Sequence, residues 1–99
     1  MSSNVLFDRN RIADFCRRWN VVELAVFGSV ARGNFREDSD IDVMVTFSRE
    51  AHIGLFSLAR MENELSAMFN HKVDLVTKGG LKPLIRDEIL AQAEVLYAA

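Results

Sequence analysis

Apolar residues recur along this chain with two different periods, and the changes of period mark out its elements. After Asp8, the positions Ile12, Phe15, Cys16 and Trp19 fall at three- and four-residue steps, one buried stripe of a helix. Asp8 itself is suited to cap that helix, and the arginines between the apolar positions then lie on solvated faces. Val21 to Phe27 is β-branched and apolar, too short for a helix of its own, and stopped by Gly28, which predicts a buried strand. A second strand is expected over Ile41 to Phe47. Helical spacing returns after Gly54 with Leu55, Leu58, Leu65, Met68 and Phe69, and Asn70 is a suitable stop. His71 to Thr77 carries Val73, Leu75 and Val76 around Asp74 and is broken by Gly79-Gly80, a third strand. Pro83 fits the first turn of a last helix bearing Leu84, Ile85, Ile89 and Ala93, because its missing N–H would be unpaired there anyway. Periodicity leaves open whether Val95-Leu96-Tyr97 continues that helix or forms a short strand.

The chain of 99 residues, 49% hydrophobic and 26% charged, fits one compact domain over residues 1–99 with its own core. A core of this size leaves room for stabilisation by a partner or a second copy. A formal net charge of -2 lacks the basic excess through which proteins neutralise phosphates, which argues against nucleic acid as the partner. The single cysteine, Cys16, has no intramolecular disulfide partner and reads as core packing beside Phe15 and Trp19. The opening Met-Ser-Ser-Asn-Val has no basic segment followed by a long apolar stretch, and no apolar run reaches membrane-spanning length, so the cytoplasm is the expected location.

The segment between the first two strands carries the chemistry. Side chains alternate along a strand, so Asp40 and Asp42 project to one side while Ile41, Val43 and Val45 project to the other. Two carboxylates this close repel unless a cation offsets their charge, and hard oxygen donors favour Mg²⁺ or Mn²⁺. If the third strand pairs beside the second, Asp74 joins them, a set able to hold two metal ions roughly 4 Å apart for in-line phosphoryl chemistry. Asp40 and Asp42 would then hold the triphosphate-bound metal, and all three the metal that activates an attacking hydroxyl. Gly28 lets the backbone approach a phosphate, Ser29 opens a possible helical turn of anion-binding N–H groups, and Arg32 and Arg36 offer charge-assisted contacts to the outer phosphates.

Gly28-Ser29-Val30-Ala31-Arg32-Gly33 followed by Asp38-Ser39-Asp40-Ile41-Asp42-Val43 resembles the signature of minimal nucleotidyltransferases in the DNA polymerase beta superfamily. Asp74 stands where that family places its third carboxylate, and Ile85 to Ile89 and Leu96-Tyr97 resemble its C-terminal segment. The resemblance spans nearly the whole chain. It implies an α+β fold of two layers, a mixed sheet of three to four strands with helices packed against it, and Mg²⁺-dependent transfer of a nucleoside monophosphate, AMP from ATP by analogy. It also implies a HEPN-type toxin as binding partner and acceptor, because many short members of the family are antitoxins paired with such toxins.

Simpler readings compete for each residue. Asp-Ser-Asp before a strand is often only a turn, but Gly28-Ser29 upstream and Asp74 downstream weigh against that here. A loop arginine is usually solvated, which weakens the assignment of Arg32 and, more so, of Arg36. Lys72 and Lys78 read as solvated, and His52 and His71 as surface or strand-end residues without zinc-site spacing. Met44, Met61 and Met68 read as core filling, and Tyr97 as packing in preference to a self-modified hydroxyl. A steric toxin-binding module, and transfer to RNA or a small molecule, stand as alternatives to transfer onto a protein.

Overall fold

A computed structural model describes residues 7–33, 36 and 38–99. Helix α1 (Arg9–Trp19) begins at Asp8, whose carboxylate accepts the N–H groups of Asn10 at 3.0 Å and Arg11 at 3.3 Å. Asn20 ends it in the left-handed region at φ 59° and turns the chain directly into strand β1 (Val21–Phe27). A single helical turn, α2 (Ser29–Arg32), follows, and then strand β2 (Ile41–Phe47). Helix α3 (Leu55–Phe69) is closed by Asn70 at φ 54° and leads into strand β3 (Val73–Thr77). After a 3₁₀ turn (Lys78–Gly80), helix α4 (Pro83–Gln92) carries Pro83 in its first turn. The chain finishes in strand β4 (Glu94–Ala98), which resolves the open reading of Val95 to Tyr97 in favour of a strand.

The four strands lie in the order β3-β2-β1-β4, with β1 antiparallel to both β2 and β4 and β2 parallel to β3. This is the expected mixed sheet. One face buries Leu24, Val26, Ile41, Val43, Val45 and Val73 against Ile12, Phe15 and Cys16 of α1 and Met61, Leu65 and Phe69 of α3. Asp42 alternates with Ile41 and Val43 and therefore belongs to the opposite face. Ala25 and Met44 on that face are also buried, outside the main cluster.

Several side chains depart from the sequence expectation. Leu55, placed on the apolar stripe of α3, is 84% exposed, because the stripe that meets the sheet is Met61, Leu65 and Phe69. Leu84 and Ile85 are exposed as well, and α4 buries none of its residues. Two of the α1 arginines, Arg9 and Arg18, are exposed yet partnered. Arg9 donates to the Leu96 carbonyl at 2.9 Å, and Arg18 pairs with Asp14 and with Glu64 of α3. Lys78, read as solvated, sits 3.5 Å from Glu23. Trp19 is only partly buried, because its indole N–H donates to Glu64 at 3.2 Å. Cys16 and Met61 are fully buried, as core packing requires, and burial pushes the Cys16 thiol up to about 12.

Candidate functional site

The site is built at the end of the sheet where β1 finishes and β2 begins. Gly28 leaves β1 at φ 73°, ψ −144°, a conformation open to glycine and strained for other residues. A Cβ at this position would overlap Asp42 Oδ2 and stand 3.2 Å from its Cγ. The glycine therefore serves two ends at once, reversing the chain and making room for a carboxylate of the next strand. Helix α2 starts immediately, the Arg32 N–H closing on the Gly28 carbonyl at 3.0 Å, and Gly33 ends it at φ 80°. The leading N–H groups of such a turn have no intrahelical acceptor and are free to meet an anion.

The carboxylates come from the adjacent strands. Asp42 is directly opposite Asp74 in the parallel β2–β3 register and opposite Phe27 in the antiparallel β1–β2 register. Asp40 lies just before β2. Burial raises the Asp42 pKa, the negative charges of Asp74 and Asp40 raise it further, and the Arg32 guanidinium opposes them. Asp74, Asp40 and Arg32 thus all bear on Asp42.

Together they line a cavity of about 560 Å³, with Gly28, Ser29 and Arg32 on one side, Asp40, Asp42 and Asp74 on another, and Ile85, Glu88, Ile89 and Gln92 of α4 as a third wall. Arg36 is exposed and outside this lining, its backbone N–H donating to Ser39 Oγ at 3.0 Å. Among the described residues no three His, Cys, Asp or Glu side chains stand close enough to form a ready metal cage. What fits a hard divalent cation is the donor chemistry, three carboxylates on one cavity wall whose mutual repulsion such an ion relieves. A second cavity, about 510 Å³ between α1 and α3, is lined by Arg18 and Glu64, which already pair with each other, and holds none of these carboxylates.

The α4 wall was not anticipated. Residues 85, 88, 89 and 92 are spaced as one helical face, a signal present in the sequence, but Leu84, Ile85, Ile89 and Ala93 read only as the apolar positions of the last helix.

Comparison with known proteins places the chain in a family. The profile of the nucleotidyltransferase domain matches residues 9–96. This chain belongs to the nucleotidyltransferase family. It is 41% identical over 80 residues to the protein adenylyltransferase MntA of Thermococcus cleftensis, covering 81% of this chain and 77% of that one. Its fold superimposes on a solved candidate minimal nucleotidyltransferase at 38% identity and TM-score 0.73, covering 87% of this chain and 86% of the other. The fold also matches, at 18% identity and TM-score 0.67, a complex of a tri-AMPylated HEPN toxin with its MNT antitoxin from Shewanella oneidensis, covering 92% of this chain and 70% of that chain. The nucleotidyltransferase reading drawn from the Gly-Ser and paired-aspartate segments is borne out, and the two-layer fold with it. No helix among the described residues of this nucleotidyltransferase is long and apolar enough to cross a membrane.

Proposed function

We propose that this nucleotidyltransferase moves AMP from ATP onto a hydroxyl of a partner protein, and that the partner is a HEPN-type toxin for which it is the antitoxin. The observation that carries this reading is the convergence of an anion-binding turn and three carboxylates on one cavity. The name of the Thermococcus relative supports the chemistry, and the Shewanella complex supports the kind of partner.

In this reading the backbone at Gly28 and Ser29 and the Arg32 guanidinium hold the β- and γ-phosphates, with Arg36 giving a weaker contact from the solvent side. Asp40, Asp42 and Asp74 would hold divalent metal, two ions of Mg²⁺ or Mn²⁺, which would offset charge on the phosphates and lower the pKa of the acceptor hydroxyl. The chain's own contribution is positioning and electrostatics. Arg32 draws the leaving pyrophosphate to the β1 side of the sheet, while Asp74 on β3 marks the opposite side for the acceptor. The acceptor hydroxyl gives up its proton to solvent, and its oxygen bonds to the α-phosphorus as the bond to pyrophosphate breaks.

The test is transfer of an α-phosphate label from ATP, with Mg²⁺, to the HEPN partner, with an Asp40→Ala, Asp42→Ala double variant alongside. Label on the partner that vanishes with the double variant is the expected result. A stable complex that never acquires label, and whose inhibition of the toxin survives the double variant, would show a steric mask instead. Label appearing on RNA in place of protein would also overturn the reading.

A further inference from the structure

Helix α4 presents an unusual balance for its length. It carries Leu84, Ile85, Ile89 and Leu90, yet buries none of its residues, and its Ile85–Glu88–Ile89–Gln92 face lines the catalytic cavity instead of the core. We infer that this face is the nucleobase subsite and that Gln92 selects adenine. The inference rests on the nucleotide-transfer reading and names what that reading left open, the residue that reads the base.

Three observations converge on it. Glu88 places a carboxylate on this wall, which repels a triphosphate, while Arg32 and the Gly28–Ser29 turn across the cavity attract one. The nucleotide is thereby oriented with its uncharged end toward α4. Ile85, which is exposed, and the half-buried Ile89, one turn apart, lie outside the core cluster and offer apolar surface that matches the flat face of a base. Gln92 brings one donor and one acceptor on a single planar group. Adenine offers an amino donor beside a ring-nitrogen acceptor and accepts a bidentate Gln, whereas guanine presents two acceptors and would set its O6 against the carboxamide oxygen. Gln92 is also well anchored, since β4 begins two residues later and pairs Glu94 with Val26 on the strand that leads to Gly28.

The test is calorimetric titration of the full chain with ATP, GTP and inorganic tripolyphosphate in Mg²⁺. The wild type is expected to bind ATP about tenfold more tightly than GTP, the discrimination of one good bidentate pair. Gln92→Ala should bring the two within about twofold, and Gln92→Arg, whose fork matches the two acceptors of guanine, should favour GTP. Tripolyphosphate binding should be unchanged in both variants, and Leu84→Ala, on the outward side of the same helix, should keep the wild-type ratio. An ATP to GTP ratio that ignores Gln92, or a wild type without preference, overturns the inference. So does loss of tripolyphosphate binding in both variants. No acceptor is needed for these titrations, so the two readings fail separately. A ratio that follows Gln92 while no label reaches the partner supports the base subsite and overturns the transfer reading.

Discussion

At the scale of the residue, Gly28 and Asp42 form one device. The Gly28 backbone is held at φ 73°, and the space a side chain would occupy there is filled by the Asp42 carboxylate. Gly28→Ala should therefore cost about 1–3 kcal/mol of stability from backbone strain. By pushing Asp42 aside it should also slow label transfer about a hundredfold, the usual effect of a small misplacement at a reacting centre. Urea titration and the transfer assay measure the two effects; a variant that transfers label normally would show the close approach to be incidental. Asp42 also sets a pH dependence. Its folded pKa is raised by burial and by Asp74 and Asp40, so the folded state holds its proton more tightly than the unfolded chain does. Stability, without divalent cation, should then fall as pH rises from the ordinary aspartate range through the raised value, and stay level above it. Asp42→Asn should be more stable than the wild type at neutral pH, with the difference closing in acid. An Asn variant that is less stable at neutral pH would sink this account. Gly28-Ser29 and the paired aspartates were legible in the sequence because strand alternation alone puts Asp40 and Asp42 on one side. The collision between Gly28 and Asp42 was not, since it depends on how β1 and β2 are paired.

At the scale of the element, the placing of Asp74 depends on how β3 is held at the sheet edge. One side of β3 pairs with β2 in parallel register. On its free side the Val73 N–H donates to Ser66 Oγ at 3.0 Å and the Leu75 N–H to Glu62 Oε2 at 2.9 Å, both from α3. Ser66 in turn donates to the Glu62 carbonyl at 2.8 Å. The helix thus closes a strand edge that would otherwise invite another chain, and it straddles Asp74 with two tethers. Glu62→Ala leaves the Leu75 N–H without its acceptor, at a cost of about 1–3 kcal/mol. Label transfer should fall with it, because Asp74 moves with β3. Glu62→Gln keeps a carbonyl oxygen at the same place and should recover most of both. Hydrogen exchange at the Leu75 amide reads the tether directly; protection unchanged in Glu62→Ala would discard the argument. The sequence marks α3 and β3 as elements, since their apolar periods differ, and Asn70 marks the break between them. The tethers were hidden because Glu62 and Ser66 look like solvent-facing helix residues until the strand is laid against them. The α4 face was hidden for the reverse reason, since apolar helix residues are usually spent on the core.

At the scale of the whole molecule, one core underlies the strands at whose ends the carboxylates stand. Cys16 of α1 lies in that core among side chains from β1, β2, β3, α3 and β4, with no exposure. Burial raises its thiol to about 12, so at neutral pH it is neither ionised nor reachable in the folded state. It therefore reports opening of the core as a unit. A thiol reagent in excess should label the native chain only through unfolding, far more slowly than the chain in denaturant. On the proposed function nucleotide binds the folded cavity and not the unfolded chain, and ATP and Mg²⁺ at a hundred times Kd should then stabilise by about 2.7 kcal/mol and slow the labelling about a hundredfold. This links the cavity at one end of the sheet to a thiol on its far face through global stability alone, with no contact between them. Slow labelling that ATP and Mg²⁺ leave unchanged at saturation would mean that Cys16 is reached by a local opening of α1 that leaves the nucleotide in place. Labelling as fast as in denaturant would mean that the thiol is not enclosed at all. Slowing by ATP that is absent from the Asp40→Ala, Asp42→Ala variant would connect the stabilisation to the carboxylate wall and not to the phosphate turn by itself.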